Sequence, residues 1–144
     1  MIPRRAEPAK LAEERSPVRA IFCFEGEDQP AVRSLVERMV EALGLGLEQA
    51  YLTSPEGWTA AIQAHGAELA VAFGRVAAST LSVNESTPVG QWSMGNFGGD
   101  PAGLPILITY DAREVLGQPA LKRPVWEHLK QVSQKLGVVP KSGR

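Results

Sequence analysis

The segment "ILITYDAREVLGQPALKRPVWEHLKQV" (106–132) decides the fold class. It begins with an apolar, β-branched run and ends with apolar residues at three- and four-residue spacing, which predicts a strand, a turn and a helix. Asp111 lies in the turn, at the carboxyl end of the strand, where α/β proteins usually keep their functional groups. Asp111 is therefore either a chemical group or the residue that caps the following helix.

Three earlier parts of the chain repeat this order of a strand followed by a helix. Together with the strand at 104–110, they give four strands that alternate with helices. Such alternation predicts an α/β protein, here a three-layer αβα sandwich with a four-stranded, mainly parallel central sheet. The earlier strands are predicted within 18–24, 48–58 and 67–74, and the helices within 29–46, from Ser54 to Gln63, and within 75–83.

The range 84–105 is polar and rich in glycine and proline, which predicts a long loop with a strand fragment near 91–94. Trp92 and Phe97 lie in this range. An aromatic side chain in such a loop either anchors the loop or stacks on a base or a partner. The sequence leaves both interpretations open.

Length and composition predict one domain at 18–137, between a flexible N-terminal tail (1–17) and a short C-terminal tail (138–144). The formal net charge is −1, but it is +2 over residues 1–20 and +5 over residues 122–144, on a body of −8. The basic ends either contact nucleic acid or serve as a solubilising tail and a solvated helix face. The candidate contacts are Arg4, Arg5, Lys122 and Arg123.

Several classes of site are excluded by the residues present. Cys23 is the only cysteine and lies in an apolar strand pattern, which predicts a buried structural thiol and no iron–sulfur cluster built from one chain. His65 and His128 have no second ligand at metal-binding spacing, so we expect no metal and no cofactor. The sequence shows no secretory signal and no membrane-spanning run, which predicts a soluble, cytoplasmic protein without a membrane partner.

Two turns could face a ligand. In "FEGEDQP" (24–30), Gly26 could bring backbone amides to an anion, but Glu25 and Glu27 oppose phosphate and suit the start of a helix instead. In "AFGRVAAST" (72–80), Arg75 either contacts a phosphate or belongs to a helix that packs closely on the sheet through its small residues.

Three segments together resemble the uracil-DNA glycosylase superfamily, especially its bacterial iron–sulfur branch. They are "AVRSLVERMVEALGLGLEQAYLT", "ELAVAFGRVAASTL" and the closing segment 106–132, and the resemblance extends with a gap from Val18 to Val132. It implies a glycosylase-like fold with its pocket at the ends of the strands.

The catalytic motifs of that superfamily are degenerate in this chain. "FEGEDQP" lacks the Gly-x-Pro-Gly turn that positions the attacking water, Thr53 is not followed by asparagine, and Asp111 replaces the histidine that stabilises the departing base. A carboxylate beside a developing anion would raise the barrier. The resemblance therefore implies a pocket without catalytic residues, formed by Glu25, Gly26, Glu27, Thr53 and Asp111.

The short, cysteine-poor chain with its basic tail also resembles the psi-subunit family of the bacterial DNA polymerase III clamp loader, which has a trimmed glycosylase domain. This resemblance implies a non-catalytic adaptor of the replication machinery that links the clamp loader to a chi-like or single-strand-binding partner. The alternatives are an active or residual base-excision glycosylase, in which Trp92 or Phe97 stacks on the flipped base, and a DNA-binding module of the same fold.

Overall fold

The computed structural model describes residues 18–65, 67–80, 88–95 and 104–140. The predictions for the tail 1–17 with Arg4 and Arg5, and for Phe97, lie outside these residues. The strands are β1 (Ala20–Phe24), β2 (Ala50–Thr53), β3 (Leu69–Phe73), β4 (Trp92–Gly95) and β5 (Leu104–Thr109). The helices are α1 (Pro30–Ala42), α2 (Trp58–Ala64), α3 (Arg75–Thr80), α4 (Ala112–Gly117) and α5 (Lys122–Leu136), with single 3₁₀ turns at Leu47–Gln49, Pro55–Gly57 and Pro119–Leu121.

The strands form one five-stranded sheet in the order β2-β1-β3-β5-β4. The first four strands of this order are parallel, which confirms an α/β protein with a mainly parallel sheet. The predicted number of four strands is wrong. The fragment at 91–94 is part of a true edge strand, because Trp92 pairs with Leu107 and Gly95 with Leu104 in an antiparallel ladder. The range 84–105 is therefore not a loop throughout.

Both faces of the sheet are buried by helices. Side chains of a strand alternate between the faces. One set therefore points to α1, α4 and α5 and includes Phe22, Phe24, Phe73 and Leu107. The other set, which includes Ile21, Cys23, Ile106 and Ile108, points to α2 and α3. The two helical layers follow from β1 and β3, which are apolar and buried at every position.

Within the layer formed by α2 and α3, helix α3 packs on the sheet through small side chains. Ala77 and Ala78 of α3 are buried against Ala70 and Ala72 of the sheet. Small residues allow the helix to approach the strand closely. The prediction of a small-residue helix in close contact with the sheet is confirmed for Arg75–Thr80.

The ends of the first and last helices are joined. The Ser133 hydroxyl donates a 2.7 Å hydrogen bond to the Leu43 carbonyl, and both groups are buried. Gly44 adopts φ +94°, and a side-chain carbon there would overlap the carbonyl oxygen of Val139. Gly44 thus supplies the stop of α1 and the space through which the chain passes after α5.

We predict that Gly44→Ala destabilises the protein by about 3 kcal/mol or more, since it combines left-handed strain with steric overlap. Gly137 is the matched control, because it ends α5 at φ +74° and a side-chain carbon added there would have no neighbour within 4 Å. Gly137→Ala should therefore lose only about 1–2 kcal/mol of unfolding free energy. Urea denaturation measures both, and equal losses would contradict the described contact with Val139.

Candidate functional site

The carboxyl ends of the parallel strands converge on a cleft of about 400 Å³. Parallel strands place these ends at one edge of a sheet, where α/β proteins bind their ligands. The cleft is formed by the turn after β1, the turn after β2 and one side chain from α4. Its lining residues are Glu25, Gly26, Glu27, Asp28, Ser54, Pro55, Glu56 and Arg113.

The Arg113 guanidinium joins the ends of β1 and β5. It pairs with Glu25, and it contacts Asp111 at 2.9 Å from Nη2 to Oδ2 and 3.2 Å from Nε to Oδ1. The hydrogen bond and charge of Asp111, with the charge of Glu25, raise the pKa of Arg113. These groups are partly exposed, so each pair contributes little to stability but fixes the arrangement of charges at the cleft.

Asp111 is the N-cap of α4. Its Oδ1 accepts a 2.8 Å hydrogen bond from the backbone amide of Arg113, which confirms the capping interpretation. Gly74 adopts φ +98° beside it, and an added side-chain carbon would lie 3.0 Å from Cβ of Asp111. The position of Asp111 is therefore fixed by its capping hydrogen bond, by its ion pair with Arg113 and by close contact with the Gly74 backbone.

The acidic residues after β1 do not cap α1. The N-cap is Gln29, without a side-chain hydrogen bond, and the first turn of α1 carries no acidic residue. The predicted role of Glu25 and Glu27 at the helix start is therefore wrong. Glu27 instead pairs with Arg33 at 2.7 Å, and Glu25 pairs with Arg113.

The lining of the cleft is negatively charged. Four carboxylates, those of Glu25, Glu27, Asp28 and Glu56, face a single lining cation, Arg113. Like charges repel across such a space, so this cleft opposes the approach of phosphate groups.

The remaining residues predicted at this pocket divide between the cleft and its surroundings. Gly26 lines the cleft, with φ +89° in the turn after β1. Thr53 is buried, and its Oγ1 donates to the Ser54 carbonyl at 3.0 Å, so it organises the turn after β2 and is not a lining residue. Arg75 starts α3 directly after Gly74 and is exposed.

Trp92 anchors β4 to α5. Its indole N–H donates to Oε1 of Gln131 at 2.9 Å, and Nε2 of Gln131 donates to the Gly90 carbonyl at 3.2 Å. The Lys135 ammonium lies 5.0 Å from the centroid of the indole ring, a cation–π contact. Of the two interpretations of Trp92, the structure supports the structural anchor.

His128 has a packing role that sequence reasoning missed. Its Nδ1 lies 3.0 Å from Oγ1 of Thr109, and its ring stacks on Tyr110 with centroids 5.9 Å apart. Burial lowers its pKa, against a smaller opposing effect of Glu127. The space for this ring is left by Gly90, a distant residue, so no local pattern signals the contact.

The thiol of Cys23 is not poised for nucleophilic attack. Cys23 is buried, and burial, with smaller effects of Glu56 and Glu25, raises the pKa of its thiol to about 12. Among the described residues, no group of three histidine, cysteine or acidic side chains could hold a metal ion. Nor does any helix there combine the length and apolar character that a bilayer crossing requires.

We predict that Asp111→Ala lowers the unfolding free energy by about 1–2 kcal/mol, because it removes both the cap and the ion pair. Asp111→Asn keeps an equally good capping oxygen and loses only the charge, so it should lose less than about 1 kcal/mol. Thermal and urea denaturation compare the two variants. Equal destabilisation by both variants would show that the cap contributes nothing measurable.

We predict that Cys23 is inert to Ellman's reagent in the folded protein and reacts fully in denaturant. The unfolded thiol loses its proton near pH 9.0 and the folded thiol only near 12, so this group lowers stability as the pH rises between these values. The denaturation midpoint should therefore fall when the pH is raised from about 8 to about 10.5, and this fall should be smaller for Cys23→Ala than for the wild type. An identical fall in both proteins would contradict a buried, protonated thiol.

Comparison with known proteins assigns no family to the chain. No protein-family model matches it, and no curated protein matches it either.

Proposed function

We propose that this protein is a non-catalytic adaptor with a uracil-DNA glycosylase-like fold, similar to the psi subunit, that links a clamp loader to a chi-like or single-strand-binding partner. The proposal is carried by one observation. Asp111, at the position where the resemblance implies a catalytic histidine, is held by Arg113 as the cap of α4.

The fold supports the proposal. Four parallel strands in the order β2-β1-β3-β5, covered by helices on both faces, are compatible with the four-stranded core that the resemblance implies. In this interpretation the short antiparallel strand β4 is an addition at the edge of that core.

The charges of the cleft argue against base excision. A departing uracil is an anion, and its release is eased by a positioned hydrogen-bond donor or cation. Here the candidate pocket has a carboxylate at that position and an acidic lining. The Arg113 guanidinium, the cation nearest to Asp111, is already paired with two carboxylates.

Neither described histidine is available to replace the missing one. His128 is engaged by Thr109 and Tyr110, and the ring of His65 lies 4.6 Å from the ring of Tyr51. Neither side chain lines the cleft. The same acidic lining disfavours DNA phosphates at this edge of the sheet, which favours an adaptor over a glycosylase.

The first test of the proposal is a glycosylase assay with the full chain on single- and double-stranded DNA that contains uracil or hypoxanthine. We expect no release of free base, while an active uracil-DNA glycosylase cleaves the same substrates. Release that is abolished by Asp111→Ala would overturn the proposal.

The complementary test is binding to purified clamp-loader and chi-like subunits, followed by size-exclusion chromatography with light scattering. We expect a stoichiometric complex. The same measurement on a chain that lacks residues 1–17 separates binding by the tail from binding by the folded body. Absence of any complex with both chains would contradict an adaptor role.

A further inference from the structure

A second surface, which shares no lining residue with the cleft, is an apolar groove of about 290 Å³ between α1 and α5. Its apolar lining includes Leu35, Val125 and Leu129, which are buried, and Met39 and Trp126, which are partly exposed. Just beyond the groove, the Ser133–Leu43 hydrogen bond joins the two helices. The groove is thus a fixed gap in the helical layer with apolar surface open to solvent.

The charged residues that line the groove are both cations. Arg38 on α1 and Lys122 on α5 are exposed, and neither is ion-paired with another described residue. None of the described lining residues carries a carboxylate. Of the acidic residues on the same helices, Glu37 and Glu127 pair with Arg33 and Lys130, while Glu41 is exposed on α1 and does not line the groove.

Trp126, one of the lining residues, also carries an unpaired donor. The indole N–H of Trp126 is buried and has no hydrogen-bond acceptor among the described residues. Buried donors normally have a partner. The side of the groove formed by Trp126 is therefore not fully satisfied by the described residues.

We propose that the α1–α5 groove binds an amphipathic helical segment of a partner protein, with apolar anchors at three- and four-residue spacing and acidic residues beside them. Apolar side chains of the segment would cover Met39 and Trp126, and its carboxylates would pair with Arg38 and Lys122. This inference rests on the proposed adaptor function and specifies the chemistry of its partner.

Charge complementarity favours this occupant over the segment 1–17 and over a second copy of the chain. The segment 1–17 carries four basic and three acidic residues, so it brings no excess of carboxylates to the groove cations. A second copy would have to insert a protruding apolar element flanked by carboxylates. The carboxylates of the cleft instead surround a concave surface.

The test is a selection of random 16-residue peptides displayed on phage against the full chain, followed by fluorescence titration of the selected synthetic peptides. We expect enriched peptides with a net negative charge and helical apolar spacing. Arg38→Glu with Lys122→Glu should weaken their binding by about tenfold or more, since each attraction becomes a repulsion. Arg123→Glu is the matched control, because Arg123 is exposed on the same helix turn and does not line the groove.

Circular dichroism melts of the charge variants establish that they fold. The groove proposal is overturned if no peptide is enriched or if the enriched peptides are basic. It is equally overturned if Arg123→Glu weakens peptide binding as much as the double variant does. It is also overturned if deletion of residues 1–17 strengthens peptide binding tenfold, which would identify that segment as the occupant. Concentration-dependent dimers that Met39→Glu abolishes would instead identify a second copy.

Failure of this proposal is distinguishable from failure of the adaptor function. Clamp-loader or chi-like subunits that bind the double variant as well as the wild type would refute the groove and leave the adaptor role standing. Base release by the chain would refute the adaptor role, whatever the peptides do.

Discussion

The structure depends on the burial of β1 and β3 on both of their faces. Every side chain of these two strands is buried, so neither face can remain in water and a helical layer is required on each side. The parallel pairing of β1 with β2 and β3, and of β3 with β5, then brings four strand ends to one edge. The cleft, the cap on α4 and the Arg113 pairs all follow from this constraint.

The two surfaces described here have opposite electrostatic character. The cleft at the strand ends is lined by four carboxylates and one guanidinium, whereas the groove between α1 and α5 is lined by apolar side chains and two cations. A chain with a net charge of −1 therefore presents one acidic and one basic surface. Such a division suits a protein that holds partners together better than one that acts on a polyanionic substrate.

Local patterns predicted the elements whose determinants are local. The apolar periodicity of 29–46 and of the closing segment correctly predicted α1 and α5, because the spacing of apolar residues indicates which face of a helix is buried. The strand count failed because β4 is defined by its ladder with β5, not by its own composition.

The cap by Asp111 could be predicted from adjacent residues, but the pairing of Glu25 with Arg113 joins residues 88 positions apart. No spacing rule reveals such a contact, and the inward position of His128 likewise depends on the distant Gly90.

The contact of Gly44 with Val139 has a consequence for synthesis on the ribosome. The apolar faces of α1 and of β1 share one core with residues of β5 and α5, and the turn after α1 contacts both α5 and the chain that follows it. The amino-terminal half can therefore bury only part of its apolar face until these later elements emerge. This layer of the domain can therefore close only after α5 and the residues that follow it have emerged from the ribosome.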